Sequence, residues 1–235
     1  MSTKNILGSN IGKYKDLEVF NSRRVFDEVH KCGVTPAAFH KNLSRMAEAG
    51  VVYKVSKGLY CKPKQTRFGS LNSDENQIIE YFLGKKQTKG VLLGYRLYNQ
   101  LGLTTQLAKS ILIYSNKTDY TQSKVQHILI RKSNLTFSEP VKSLIQLLDV
   151  LEHLKEIQDI QTNQLQEYIK STIVKYEDKY LEKILKDISF KKSTLAALKA
   201  ILDNEKVNHN LDQYLSKNSK YNLKILEDLN VIPRK

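Results

Sequence analysis

The chain has 235 residues, 40% hydrophobic and 26% charged, with 38 Lys/Arg against 24 Asp/Glu and a net charge of +14. That balance excludes a disordered chain, and no apolar run approaches the roughly 18 residues that a membrane span needs. The two cysteines, Cys32 and Cys61, are spaced for neither a disulfide framework nor a zinc site and read as buried small hydrophobes. The start, MSTKNILGSNIGKYK, carries lysines but no apolar core of about 7 residues before a cleavage site, so the expected location is the cytoplasm.

The charge is uneven. Residues 1–69 hold 13 Lys/Arg against 5 Asp/Glu, residues 70–160 hold 11 against 9, and residues 161–235 hold 14 against 10. A basic excess gathered in one module points to a polyanion, nucleic acid before membrane. Solubility alone is the competing explanation.

In chain order, the first helical signal is LEVFNSRRVFDEVHK. Val25, Phe26 and Val29 recur at helical spacing behind an Asn21-Ser22 cap, and Cys32-Gly33 ends the run. Thr35-Pro36 then supplies an N-cap followed by a proline at the first helical position. The helix TPAAFHKNLSRMAEAG closes at Gly50, a C′ glycine. Phe39, Leu43, Met46 and Ala47 make one apolar stripe. The opposite face carries Ala37, His40, Lys41, Ser44 and Arg45, short near the start and cationic beyond it. A helix entering a major groove about 12 Å wide needs short residues at base edges and long cations that reach phosphates. An ordinary surface helix with two basic residues explains the same face.

The next stretch, VVYKVSKGLYCKPK, alternates apolar with polar residues, turns at Lys57-Gly58 and resumes as a return strand before Pro63. Two helices joined by Lys31–Val34 and followed by such a hairpin predict a winged helix-turn-helix over residues 1–66. Ser56 falls on the wing, Lys54, Lys57, Lys62 and Lys64 sit where the wing can contact phosphates, and Tyr53, Val55, Leu59 and Tyr60 include the residues that pin it to the core. Residues 67–235 form the second predicted domain. KQTRFGSLNS reads as a linker, a helix is predicted over residues 74–83, and another over Gly90–Leu101. KSILIYSN and VQHILIRKS read as strands. From Pro140 the signals are helical, including NQLQEYIKSTIVKYEDKYLEKILKDI, and the Asn/Ser/Lys-rich segment 203–222 reads as the flexible one. The expected fold class is α+β, with a mixed α/β middle and a mainly helical C-terminal region.

Catalytic constellations are thin. Glu177-Asp178-Lys179 has the E-x-K spacing of some metal-dependent nucleases, yet it sits in a helical run with no acidic strand residue to complete it. The five histidines show no HxxxH or HExxH spacing, and no phosphate-cradling glycine loop is present. The expectation is a non-enzyme with no catalytic residues, cofactor or metal.

KGLYCKPKQTRFG, followed by YNQLGLTTQ and then by ILIYSN and HILIRKS, resembles the AbiEi-type antitoxins of type IV toxin-antitoxin systems over roughly residues 15–135. The resemblance implies a DNA-binding antitoxin that represses its own operon and opposes a nucleotidyltransferase-fold toxin, without a necessary stable complex between the two. Carried onto this sequence, it places His40, Lys41, Ser44 and Arg45 on the recognition helix and Lys54, Ser56 and Lys57 on the wing. Thr35 and Ala37 complete the predicted DNA-binding set from the helix start. Gly102-Leu103-Thr104-Thr105-Gln106 would be a helix end followed by a capped turn. The partner implied is double-stranded DNA, the chain's own promoter. The alternatives are a stand-alone winged-helix regulator and an antitoxin that docks its partner through the C-terminal helices.

Overall fold

The structure, a computed structural model, describes residues 3–216 and 219–234. The chain divides into two units, Met1–Tyr81 and Phe82–Lys235. The architecture is α+β: a winged helix-turn-helix first, sheets in the middle, helices at the C-terminus.

The first unit runs α1 (Thr3–Gly12), β1 (Val19–Asn21), α2 (Ser22–His30), α3 (Pro36–Glu48), β2 (Tyr53–Ser56) and β3 (Leu59–Cys61). A second hairpin follows, β4 (Lys64–Thr66) and β5 (Gly69–Leu71), and then α4 (Glu75–Leu83), whose last two residues fall past the division. Caps set the helix boundaries. The Asn21 side chain accepts the Arg23 N–H at 2.8 Å, and Thr35 Oγ1 accepts the Ala38 N–H at 3.3 Å. At the far end of α3, Gly50 takes φ +70. Its N–H donates to Ala47 O at 3.1 Å while that of Val51 donates to Met46 O at 2.9 Å. This is a Schellman end, which a residue without Cβ adopts at little cost.

Leu7 and Ile11 of α1 join Phe20, Val25, Val29, Val34, Phe39, Leu43 and Val52 in one buried cluster. β1 and β2 flank β3 in an antiparallel sheet of order β1-β3-β2. Neither α1 nor β1 was legible: TKNILGSNIG carries two glycines, and β1 is three residues long.

KQTRFGSLNS is not a linker. Lys64–Thr66 pairs antiparallel with Gly69–Leu71. The chain therefore divides at Tyr81/Phe82, later than the expected 66/67. α4 begins in a capping box: Asp74 Oδ1 accepts the Gln77 N–H at 3.1 Å and Gln77 Oε1 accepts the Asp74 N–H at 2.7 Å.

The second unit contains β6 (Gly90–Leu93), α5 (Tyr95–Gln100), β7 (Ile111–Ser115), β8 (Gln122–Val125) and β9 (Ile128–Lys132). The sheet order is β6-β7-β9-β8, with β7 and β9 parallel and the outer pairs antiparallel. The helix expected over Gly90–Leu101 is thus a strand followed by a shorter helix. Gly90–Leu93 is buried at every position, the pattern of a covered strand. α6 (Glu139–His153), α7 (Thr162–Ile173), α8 (Asp178–Leu185), α9 (Lys192–Asn204) and α10 (Lys224–Asp228) complete the chain. α6 packs on β6 and against α7, α8 and α9. The run read as one helical stretch over residues 163–188 is two helices, α7 and α8. Segment 203–222 carries a 3₁₀ turn, Leu211–Tyr214, with Leu211 buried; residues 217 and 218 of that segment lie outside the described residues. Among the described residues no helix is long and apolar enough to cross a membrane.

Candidate nucleic-acid interface

Phe39 and Leu43 turn the inner face of α3 into the core. That leaves Ala37, His40, Lys41, Ser44 and Arg45 exposed on the outer face, with Thr35 exposed at its cap. The six predicted residues of this helix are therefore together on solvent. The His40 ring meets the Phe39 ring edge-on at 5.3 Å, which ties its orientation to a buried neighbour. Among the described residues Lys41 and Arg45 pair with no carboxylate, and the same holds for Lys54 and Lys57. Solvated cations without internal partners are the groups that an external polyanion engages at the lowest desolvation cost.

The wing is short. Lys54 faces Tyr60 and Ser56 faces Leu59, with an irregularity between them that leaves Val55 unmatched; such a bulge sharpens the local twist. Lys54 and Lys57 are exposed and Ser56 is half-buried. At the turn, the Gly58 carbonyl accepts the Ser22 N–H at 2.9 Å. That bond fixes the wing tip to the first turn of α2, which begins Ser22-Arg23-Arg24 and holds no acidic residue. Cations at the positive end of a helix dipole are unfavourable by themselves and become favourable beside a bound anion. The Arg23-Arg24 pair directly after the Asn21-Ser22 cap is a signal that the sequence itself carries.

Three expectations about this region need correction. Lys62 is not free for phosphate: its ammonium lies 3.1 Å from Asp16 Oδ1 and 3.4 Å from the Tyr14 carbonyl. Of the four candidate anchors Tyr53 is exposed, and the anchoring falls to buried Leu59 and to Tyr60, whose ring stacks near Phe20 at 6.1 Å. Cys61 is buried as expected, but Cys32 is exposed in the α2–α3 connection.

The second unit shows what its sequence motifs do. Gly102 takes φ +67. Its N–H donates to Asn99 O at 3.0 Å and that of Leu103 to Tyr98 O at 2.9 Å, a second Schellman end. Thr104 Oγ1 then donates to Gln158 O at 2.8 Å and accepts the Gln106 N–H at 3.1 Å. The Gly-Leu-Thr-Thr-Gln motif is thus a helix end and a capped turn. Glu177 pairs with Lys179, and Asp178 accepts from the Tyr176 hydroxyl at 2.7 Å and the Asn210 N–H at 3.1 Å. Among the described residues no group of three His, Cys, Asp or Glu side chains could hold a metal ion.

A polar cluster invisible in the sequence sits under α5. Asp149 is 4% exposed and accepts from the Gly94 N–H at 2.8 Å and the Tyr98 hydroxyl at 2.9 Å. Burial, together with the Asp149 charge, pushes the Tyr98 phenol up, so it serves as a neutral donor. His153 Nδ1 lies 2.9 Å from the Asp149 carbonyl and 3.4 Å from its carboxylate. Hydrogen bonding to that carboxylate, opposed by burial, raises His153 to about 9. The arrangement ties α5 to α6 through one buried charge.

No curated protein matches the chain. Among solved structures it is similar to the Rv2827c protein of Mycobacterium tuberculosis, at 10% identity and a TM-score of 0.43, covering 84% of this chain and 76% of that one. Residues 27–193 match the model of a family of unknown function, DUF6088, and the chain belongs to that family.

Proposed function

We propose that the protein is a transcriptional repressor that reads double-stranded DNA through its first unit. The observation that carries this reading is the exposed outer face of α3, whose cations, like Lys54 and Lys57 of the wing, pair with no carboxylate among the described residues. α3 enters the major groove with Thr35, Ala37, His40, Lys41 and Ser44 near base edges, while Arg45, Lys54 and Lys57 bind flanking phosphates. Fluorescence anisotropy on the DNA upstream of the gene and on a shuffled duplex, at about 50 and 200 mM salt, tests it. Preference for the native duplex that persists at the higher salt supports a sequence-reading repressor. Equal binding that collapses with salt reduces the first unit to a general polyanion contact.

The resemblance to AbiEi-type antitoxins extends the proposal. The protein acts in the cytoplasm by binding rather than catalysis, represses its own operon, and opposes a nucleotidyltransferase-like toxin through residues 82–235. Co-expression with a neighbouring nucleotidyltransferase-like reading frame, scored by growth, tests that part; unrelieved toxicity counts against it. Docking through an apolar face of the C-terminal helices has less support. The leucine stripe of α6 is buried, and Val174 is the large hydrophobic left exposed among the described residues of 141–202.

A further inference from the structure

The β4–β5 hairpin leaves the fold after buried Pro63 and returns at buried Ser73, and of residues 64–72 between them Thr66 alone is even half-buried. Its tip is Arg67-Phe68. Phe68 is 87% exposed, and the Arg67 guanidinium lies over its ring at 4.7 Å. The turn is ordered from within: Thr66 Oγ1 donates to the Gly69 carbonyl at 2.7 Å and accepts the Phe68 N–H at 3.2 Å. Behind it, Ser70 Oγ donates to Gln65 Oε1 at 2.8 Å. Residues 49–73 contain five cations, Lys54, Lys57, Lys62, Lys64 and Arg67, and no Asp or Glu.

A lone exposed aromatic is ordinary on a protein surface. A pre-ordered one beside an arginine, in a stretch free of carboxylates, calls for a partner that is anionic outside and offers flat apolar faces within. A protein partner fits poorly, since a stable interface buries roughly 800 Å² per side and the hairpin offers two exposed apolar side chains, Phe68 and Leu71. Stacked base pairs behind a phosphate backbone fit well. Strands of three residues, at about 3.3 Å per residue, rise about 10 Å, enough to bring the tip into a minor groove about 7.5 Å deep.

We infer that the Lys64–Leu71 hairpin is a minor-groove arm: Arg67 sits in the groove's negative potential and Phe68 wedges against a base-pair step. The inference rests on the duplex-binding reading above and adds a second contact, to the opposite groove from α3.

The test uses the full chain and short duplexes tiled through the DNA upstream of its gene, with 2-aminopurine placed at successive steps to report unstacking, and netropsin as a minor-groove competitor. Wild-type protein should brighten the probe at one step and be weakened by netropsin. Phe68→Ala should lose both responses and bind about tenfold more weakly, the equivalent of one aromatic–base stack. Phe68→Leu, which keeps an apolar wedge, should retain most of the unstacking. Arg67→Ala should lower the slope of log K against log salt by about 0.9. Melting temperatures should stay unchanged, since both side chains are exposed. If Phe68→Ala matches wild type in affinity, probe response and netropsin sensitivity, the arm is overturned while the wild-type preference for native DNA leaves the repressor reading standing. If wild type prefers none of the tiled duplexes, the repressor reading falls and the arm falls with it.

Discussion

Single side chains in this protein separate by whether they have an internal partner. Arg45 and Lys57 have none among the described residues, so Arg45→Ala and Lys57→Ala should each lower the salt slope of duplex binding by about 0.9 and leave the melting temperature unchanged. Phe39, on the inner face of α3 and 1% exposed, behaves oppositely. Phe39→Ala should cost about 3–5 kcal/mol of stability, read from denaturant unfolding, because truncation leaves a cavity that helix packing does not close. His153 makes a pH prediction. Its folded value is raised to about 9 from 6.5, so the stabilisation from its charged form is fully present below about pH 6.5 and disappears as pH climbs through 9. Wild type should therefore lose melting temperature between pH 6.5 and 9, and His153→Gln should show a flatter profile over that window. The exposed face of α3 was legible because amphipathic spacing sorts its residues without help from the rest of the chain. The pairing of Lys62 with Asp16, and the cluster around Asp149, were not, because each depends on segments that folding alone brings together.

Elements were legible where their ends carry chemistry. Thr35-Pro36 and Gly50 marked both limits of α3, and the Lys57-Gly58 turn marked the wing. The same logic predicts the cost of removing an end. Gly50 and Gly102 hold φ +70 and +67 with nothing closer than 4.0 Å to an added Cβ, so substitution there tests backbone strain with no steric clash. Gly50→Ala and Gly102→Ala should each destabilise by about 1–2 kcal/mol in thermal unfolding, and Gly50→Asn by less, since asparagine visits the left-handed region more readily. Elements without such marks escaped: α1 carries two glycines, β8 is largely polar, and β4–β5 is built from three-residue strands that composition alone renders as a linker. The apolar run of four at β6 carries no period that separates strand from helix, and its pairing with β7 and full burial decide the matter.

At the scale of the whole molecule, the exposed hairpin at residues 64–72 predicts where the chain opens first. Lys64 and Arg67 stand in its most exposed stretch, so trypsin at low ratio should cut there before it cuts α2, α3 or α6. Bound duplex should slow that cleavage selectively; equal cleavage with and without DNA would place the hairpin outside the contact. The order winged helix, mixed sheet, helices was readable from composition and periodicity, whereas the position of the division at Tyr81/Phe82 was not, since it depends on how many contacts each stretch makes. The bond from the Ser22 N–H to the Gly58 carbonyl has a thermodynamic consequence as well. A wing held at its tip has already lost its conformational entropy during folding, so docking it orders nothing further. Calorimetry of duplex binding at several temperatures should then give a heat-capacity change that matches surface burial alone, without the excess that marks a segment folding onto its partner.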